Sequence, residues 1–528
     1  MIPVTCLDKL KNDKLDCIRL YRLFCIAGAW KVVIKLDPRD NVAVALQHIK
    51  ERQIINIDNA SLVAKEPIAA AHKVAVRFIK KGGEVIKYGA KIGIALEDIE
   101  PGQWVHTHNI ASALNEKEEY VYAPNFEKEL FQNIEKETLF FNGFKRNNGL
   151  AGVRNEIWVI PTVACVNAIA RTIAQKAANS LRVEGIDGYF AFTHPYGCSQ
   201  LGSDHHQTQR ILAGLVDNPN AGGVLVIGLG CENNNINEFK KVLGAWDSDR
   251  IRFLTAQDSA DEVQDGVYLI RELAEYASSF KREPIPLSNL KIGMKCGGSD
   301  AFSGITANPL AGKISEAIVA LGGTCVLTEV PEMFGAERIL MNRAKDKQVF
   351  DRIAGMINGF KDYYIKNNQP IYENPSPGNK AGGISTLEEK SLGCIQKGGN
   401  CIITDVLDYG DKLRSKGLNL LEGPGNDLVS ITALAASGCQ IILFTTGRGN
   451  PLGTCVPTVK ISSNTELYMK KSMWIDFDAG RLLTGHDMDV MAKELFQLIV
   501  KVASGECYTM NEVSDSREIG ILKNGVTL

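Results

Sequence analysis

The most constraining stretch of this chain is Lys291–Gly312, KIGMKCGGSDAFSGITANPLAG. An apolar run, Leu290–Met294, predicts a short buried strand. It stops at Cys296-Gly297-Gly298-Ser299-Asp300, and Pro309 opens an amphipathic pattern that runs to Leu321. Strand, small polar loop and helix start form the unit of an open α/β sheet, and such sheets bind ligands outside the carboxyl ends of their strands. The loop carries a thiol, a carboxylate, hydroxyls and an amide: Cys296, Ser299, Asp300, Ser303, Thr306 and Asn308. A purely structural turn has no need of that set.

The same grammar fills the chain from Phe140 onward. Strands are expected at 157–163, 188–193, 223–230 and 251–256, with helical spacing over Ala164–Ser180 and Ala260–Phe280. Further strands are expected at Leu290–Met294, Thr324–Thr328, Cys401–Asp405, Gln440–Thr445 and Val459–Ser462. Alternation of this kind argues for a parallel sheet with crossover helices. Asn374–Leu392 reads as one long polar loop, and long loops inside a compact domain are usually functional. Upstream, VVIKL, NVAVAL, HKVAVRFI, EVIKYG, IGIAL and WVHTH are short strands at close spacing, so Lys31–Leu114 reads as a small β domain. Asn115–Leu139 lacks a sustained apolar period and reads as a linker. The expected division is 1–30, 31–114, 115–139, 140–283 and 284–528. Met1–Trp30 reads as an atypical extension. It is not a secretory signal, because Arg19 and Arg22 interrupt its apolar run and no A-x-A site follows.

Composition narrows the partners. The net charge of -2 over 528 residues gives no electrostatic case for nucleic acid or an anionic membrane. No apolar stretch is long enough to span a bilayer. The 13 cysteines are scattered without a CxxC pair, which predicts reduced, cytoplasmic thiols. Neither G-x-G-x-x-G nor a Walker loop occurs, and neither G-x-S-x-G nor H-E-x-x-H.

What remains is a set of strand-end loops. Cys198, Cys231 and Cys296 each sit beside glycine, and His194, Glu232, Glu329 and Glu332 lie in similar loops. Thiolate and imidazole suit iron or zinc, while carboxylates suit harder ions. Three such thiols could hold an iron–sulfur cluster with an open iron, or share one ion with His or Glu, or each merely fill a tight turn. Arg146, Arg154, Lys380 and Arg448 could pair with a substrate carboxylate or be solvated charges. Arg448 is flanked by glycines that let a ligand approach the backbone. His72 and Lys73 stand at one strand entrance. His106 and His108, two apart in another strand, would share a face, either to bind a metal or carboxylate or simply as half-exposed strand-end residues.

Taken together, NVAVAL, AHKVA, VIKYG, VHTHN, GVRNEIWVIPTVACVN, YGCSQLG, NPNAGGVLVIGLGCENN, CGGSDAFSGITANP, TEVPEMFGAE, QPIYENPSPGNKAGGISTLEEKSLGC, FTTGRGNP and the terminal GVTL resemble the altronate/galactarate dehydratase family, its altronate branch above all. The likeness runs from about Val33 to Leu528. It implies a β-clip module of the SAF type, a middle domain that dimerises, and a Rossmann-like C-terminal domain. It implies a cytoplasmic hydro-lyase that needs Fe2+ or another divalent cation such as Mn2+, or a cluster. The implied reaction takes D-altronate to 2-dehydro-3-deoxy-D-gluconate in hexuronate breakdown. His72, Lys73, His106 and His108 would be acid–base groups. The resemblance carries Cys198, Cys231, Cys296, Glu329 and Glu332 over to the large part, as metal ligands; from the residues' own chemistry, His194 and Glu232 would join them, and Arg146, Arg154, Ser299, Asp300, Asn308, Lys380 and Arg448 would bind substrate. Ala71 departs from the glycine more usual before the His. Galactarate or a sulfonated hydroxy acid as substrate, and a sugar-acid sensor without turnover, are the alternatives.

Overall fold

The computed structural model describes residues 32–58, 60–114, 118–126 and 139–527. The proposed extension Met1–Trp30 and much of the linker Asn115–Leu139 lie outside them.

The N-terminal module is built from antiparallel pairs. Strands β1 (Val33–Ile34), β2 (Val42–Ala45), β3 (Lys73–Ala75) and β4 (Trp104–Val105) form a four-stranded sheet in that order. A two-stranded hairpin and a three-stranded sheet complete it. Val33, Ala43, Ala45, Ile49, Ile55 and Val74 make its own small core. Other side chains face outward to the rest of the molecule: Val44 and Ala71 pack against Ala301, Phe302 and Ile384.

The middle region is a parallel sheet of β5 (Glu156–Pro161), β6 (Gly188–Ala191), β7 (Ala221–Gly228) and β8 (Ile251–Thr255), ordered β6-β5-β7-β8. Helices α1 (Asn167–Ser180), α2 (Gly202–Asp217) and α3 (Glu262–Ser278) connect and cover it. β7 is buried along its whole length. A parallel strand covered on both faces reads as a continuous apolar run, as AGGVLVIG does.

The largest sheet has seven parallel strands. They are β9 (Lys291–Cys296), β10 (Thr324–Leu327), β11 (Ile403–Leu407), β12 (Gly417–Leu421), β13 (Ile441–Thr446), β14 (Thr458–Ser462) and β15 (Phe477–Asp478), in the order β11-β12-β10-β9-β13-β14-β15. The first strand in the chain is thus central. The order reverses between β9 and β13, and in open α/β sheets ligands bind at the carboxyl ends where that happens. Cys296 is the last residue of β9. The loop after β13 is tied to the loop after β9, with the Gly447 and Arg448 amides donating to Gly298 O at 3.1 and 2.8 Å. A Cβ at Gly447 would stand 2.2 Å from the Asp300 carboxyl carbon, so only glycine allows this approach. Helix α4 (Ala307–Ala320) follows the β9 loop.

Three expectations need correction. β12 was not anticipated, because GLNLL is short and its polar flanks resemble a loop. Asn374–Leu392 is not one loop. It holds helix α5 (Pro377–Ala381) and the start of α6 (Leu387–Cys394), capped by Ser376 and Thr386, whose side chains accept from Asn379 N and Glu389 N. Nor do His106 and His108 share a strand face. The strand ends at Val105, and the Asn109 side chain accepts from His106 N at 3.0 Å to make a turn, burying His106 and leaving His108 exposed.

The N-terminal module is clamped to the large region by one carboxylate. Glu389 on α6 accepts from Lys73 Nζ and Lys87 Nζ, both at 2.8 Å, and all three side chains are fully buried. Burial alone would raise the Glu389 pKa, but the two ammoniums outweigh it and hold it down to about 2. Its stabilisation is therefore complete above the ordinary carboxylate range and is lost as the pH falls through that range toward 2. Removing one partner of a buried pair leaves an uncompensated charge. Glu389→Ala should cost about 3–5 kcal/mol of stability, and hydrogen exchange should rise first in β2 and β3; unchanged exchange there would contradict the clamp.

Candidate functional site

Two side-chain clusters meet at the seam between the N-terminal module and the carboxyl end of β9. The first surrounds Cys296. Its Sγ lies 2.9 Å from Glu332 Oε2, 3.4 Å from Cys394 Sγ and 2.8 Å from Lys397 Nζ. Glu329, whose backbone is left-handed at φ 72°, accepts from the Cys296 amide at 3.1 Å and pairs with Lys295. Lys295 also reaches Asp427 at 2.7 Å, and Lys390 reaches Glu332 at 2.8 Å. The hydrogen bond with Cys394 pulls the Cys296 thiol down to about 6, with Lys397 and Lys295 assisting against burial. The same bond and burial push Cys394 up. Burial would raise Glu332, yet Lys390, Lys397 and Lys295 hold it well below the carboxylate range.

The second cluster comes from the N-terminal module. Lys73 Nζ donates to Ser385 Oγ at 2.7 Å and Gly383 O at 2.8 Å besides Glu389. Ser385 Oγ is 2.9 Å from His106 Nδ1. Trp104 Nε1 donates to His72 Nδ1 at 3.1 Å, which leaves His72 Nε2 protonated, 3.4 Å from Ala381 O. The two imidazoles meet edge to face with centroids 4.9 Å apart. Burial, with Lys73 beside them, lowers His72 and drives His106 down to about 3, so both rings are neutral at pH 7. Burial also brings Lys73 down to about 8 against the pull of Glu389.

Helix α6 joins the clusters. Glu389 faces the lysines of the module, Lys390 pairs with Glu332, and Cys394 meets Cys296. A cavity of about 10 Å3 lies between, lined by Lys87, Ser299, Asp300, Glu389, Lys390 and Cys394. That is room for one water and far too little for a sugar acid. Ser299 Oγ is buried there without a hydrogen-bond partner. Asp300 accepts from Ser303 N and Oγ, both at 2.9 Å, from Ser463 Oγ at 2.7 Å and from Asn464 Nδ2 at 3.1 Å, while burial still raises its pKa.

The other sequence candidates fall elsewhere. Cys198 and Cys231 are exposed at the end of the middle sheet, apart from the buried Cys296. Both ring nitrogens of His194 are engaged, Nε2 with Pro161 O at 2.8 Å and Nδ1 with Tyr196 N at 3.2 Å, so no lone pair is left for an ion. Glu232 accepts from Leu229 N, Gly230 N and Thr162 Oγ1 and closes its own turn. Arg146 is spent on Pro219 O, Asn155 Oδ1 and Arg154 O. Arg154 is spent on Glu512 and on backbone carbonyls. Asn308 bonds Gly393 O and Thr445 Oγ1. Arg448 is exposed and Lys380 half-buried, near the mouth of the β9 loop. Sequence reasoning missed Lys87, Lys295, Ser385, Glu389, Lys390, Cys394 and Lys397. Their signal was weak: a lysine breaking the apolar run before Cys296, and charges inside the capped segment STLEEKSLGC.

Among the described residues, the atoms of Cys296, Glu332 and Cys394 lie within 4.8 Å of one another. Two sulfur donors and one oxygen are compatible with a divalent transition ion. The lysines that compensate these donors would have to give way to it.

Comparison with known proteins places this geometry in a family. Three family models match in succession: "Altronate/galactarate dehydratase SAF domain" over 31–113, "D-galactarate dehydratase/Altronate hydrolase, second domain" over 143–278, and "D-galactarate/Altronate dehydratase, C-terminal" over 287–527. The chain is 51% identical to altronate dehydratase of Bacillus subtilis across 94% of its own length and 100% of that protein. It is 50% identical to altronate dehydratase of Escherichia coli across 94% and 99%. Galactarate dehydratase (L-threo-forming) of Escherichia coli is 32% identical across 91% and 94%. The three models in this order and the identity over nearly the full length show that the chain belongs to the altronate/galactarate dehydratase family.

Proposed function

We propose that the chain dehydrates D-altronate to 2-dehydro-3-deoxy-D-gluconate as part of hexuronate catabolism. The observation that carries this is identity of about one half to two altronate dehydratases over nearly the full chain, against about one third to the galactarate enzyme. In the same reading the chain has three working units, 31–114, 140–283 and 284–528, the last with a Rossmann-like sheet. The chain is a cytoplasmic homodimer, joined through the middle unit, where edge strand β6 borders a groove of about 750 Å3. Among the described residues no helix is long and apolar enough to cross a membrane.

The chemistry demands two groups. The C2 proton beside a carboxylate is weakly acidic, and the C3 hydroxyl needs a proton to leave. Cys296, Glu332 and Cys394 are the residues that would hold an iron or similar ion. Such an ion, when bound, supplies charge that stabilises the developing dianion at the carboxylate. The chain itself supplies a relay. Lys73 donates to Ser385, and the Ser385 hydroxyl donates to His106 Nδ1, so the His106 proton sits on Nε2. His106 gives that proton to the departing hydroxyl as Ser385 and Lys73 replace it. His72, neutral and with its centroid 4.9 Å from that of His106, takes the C2 proton on Nδ1 once the parting of the seam releases that nitrogen from the Trp104 N–H. Lys380 and Arg448 meet the substrate carboxylate. The seam must part to admit substrate, because the cavity has room for a single water only.

His106→Ala should lower kcat by about 10²–10⁴-fold with the fold intact by circular dichroism; wild-type turnover would remove His106 from the mechanism. The relay needs Lys73 protonated. Turnover should therefore fall as the pH rises through about 8, and a flat profile to pH ~10 would show that the lysine gives no proton. A panel of D-altronate, galactarate and sulfolactate, assayed anaerobically with ferrous iron, should give turnover on altronate first. Binding without turnover on all three would mean a sensor.

A further inference from the structure

Three thiols outside the seam stand at neighbouring strand ends of the middle sheet. Cys165 follows β5, Cys198 follows β6 and Cys231 follows β7, and these strands are parallel and adjacent. Adjacent strands are spaced about 4.8 Å apart. Backbone bonds lock the three loops together: Ala164 N donates to Tyr196 O at 2.8 Å, and Asn234 N to Gly197 O at 3.1 Å. Gly197 has φ 100°, and a Cβ there would stand 2.0 Å from Thr162 O, so the Cys198 loop lies hard against the Cys165 loop. All three thiols are free and exposed, whereas the other described cysteines are buried or half-buried. A free thiol with no packing duty is usually there for its chemistry.

A second observation comes from the amides. Two or three residues after each cysteine stands one with an unpartnered buried atom: Asn167 Oδ1, Gln200 Nε2 and Asn234 Oδ1. Gln200 is 2% and Asn234 0% exposed. Each is anchored to the same loop cluster by its other atom. Asn167 Nδ2 donates to His194 O at 2.8 Å, Asn234 Nδ2 to Thr162 O at 3.0 Å, and Gln200 Oε1 accepts from Gly197 N at 3.2 Å. Buried polar atoms without partners are uncommon in native structures, and a bound ligand or water is one explanation of three in a single loop cluster. These three offer two acceptors and one donor.

The three sulfurs do not converge as the donors of a single ion do; among the described residues that convergence belongs to Cys296, Glu332 and Cys394. A cluster spaces its thiolates more widely, one to each iron. We propose that Cys165, Cys198 and Cys231 hold an iron–sulfur cluster of the four-iron type, in which one iron has no protein ligand and is open to an oxygen donor from solution. The orphaned amides then bond the hydroxyl and carboxylate groups of that donor. Cys296 is no part of this site, and the proposal does not rest on the seam mechanism.

The test is metal and sulfide content, which is independent of turnover. The full chain is purified without oxygen, reconstituted with ferrous iron and sulfide, desalted and analysed for both. Acid-labile sulfide is expected with an equal amount of iron, apart from any single further iron held at the Cys296 cluster, and with the visible absorption of sulfide-bridged iron. Cys165→Ser, Cys198→Ser and Cys231→Ser should each lose the sulfide, and Cys296→Ser should keep it. Alkylation mapped by mass spectrometry serves if a variant fails to fold. Cys165, Cys198 and Cys231 should be shielded in the reconstituted protein and labelled after chelation. Iron without sulfide, or retention of sulfide in the three variants, would overturn the proposal. Altronate turnover without sulfide would sink the cluster and leave the function standing; sulfide without turnover would do the reverse.

Discussion

The seam depends on one buried carboxylate held by two ammoniums. Glu389 pairs with Lys73 on β3 and with Lys87 from the next hairpin, all three out of water. Burying three charges is costly, and only close geometry on both carboxylate oxygens offsets it. A net positive charge is left over. Burial is the main cause that lowers Lys73 and keeps His72 and His106 neutral, and the ammonium of Lys73 beside the two imidazoles adds to it. The clamp that fixes the module also buries the groups it delivers, and that burial sets their protonation.

The Cys296 cluster follows the opposite rule. There the acidic and thiol groups face the ammoniums of Lys295, Lys390 and Lys397, although burial still holds the Glu329 carboxyl well above its usual range. The topology explains why it lies where it does. β9 is the first strand of the large sheet and its central one, so its carboxyl end is the place where the strand order reverses. Helix α6 then carries the charges of one cluster to the other within eight residues, Leu387–Cys394. A closed seam with room for one water fits a site that excludes solvent and must open to exchange substrate.

Much of this was legible in the sequence. The strand–loop–helix grammar located β9, β10, β13 and the middle strands to within two residues, because buried parallel strands are short apolar runs. The β9 loop and Glu329, Glu332 and Cys296 were singled out, and the structure brings those three side chains together. The rest was hidden for physical reasons. Lys73, Lys87 and Glu389 look like surface charges until the fold pairs residues some 300 apart in the chain. Arg146 and Arg154 look like ligand-binding cations, but their donors are spent on backbone carbonyls and Glu512. His106 and His108 follow strand spacing in the sequence, yet a single asparagine turns the chain between them and the strand. The cysteines looked alike in context, although one is buried and the others stand in the open.

The central claim is that substrate is handled where the N-terminal module meets α5, α6 and the β9 loop. Hydrogen–deuterium exchange of the intact protein, with and without D-altronate, tests it most directly. The account predicts new protection in peptides covering His72–Ala75, Trp104–Ile110 and Ala381–Glu389 together, and little change with a non-substrate acid. Protection confined to the middle sheet, with those three segments unchanged, would contradict it.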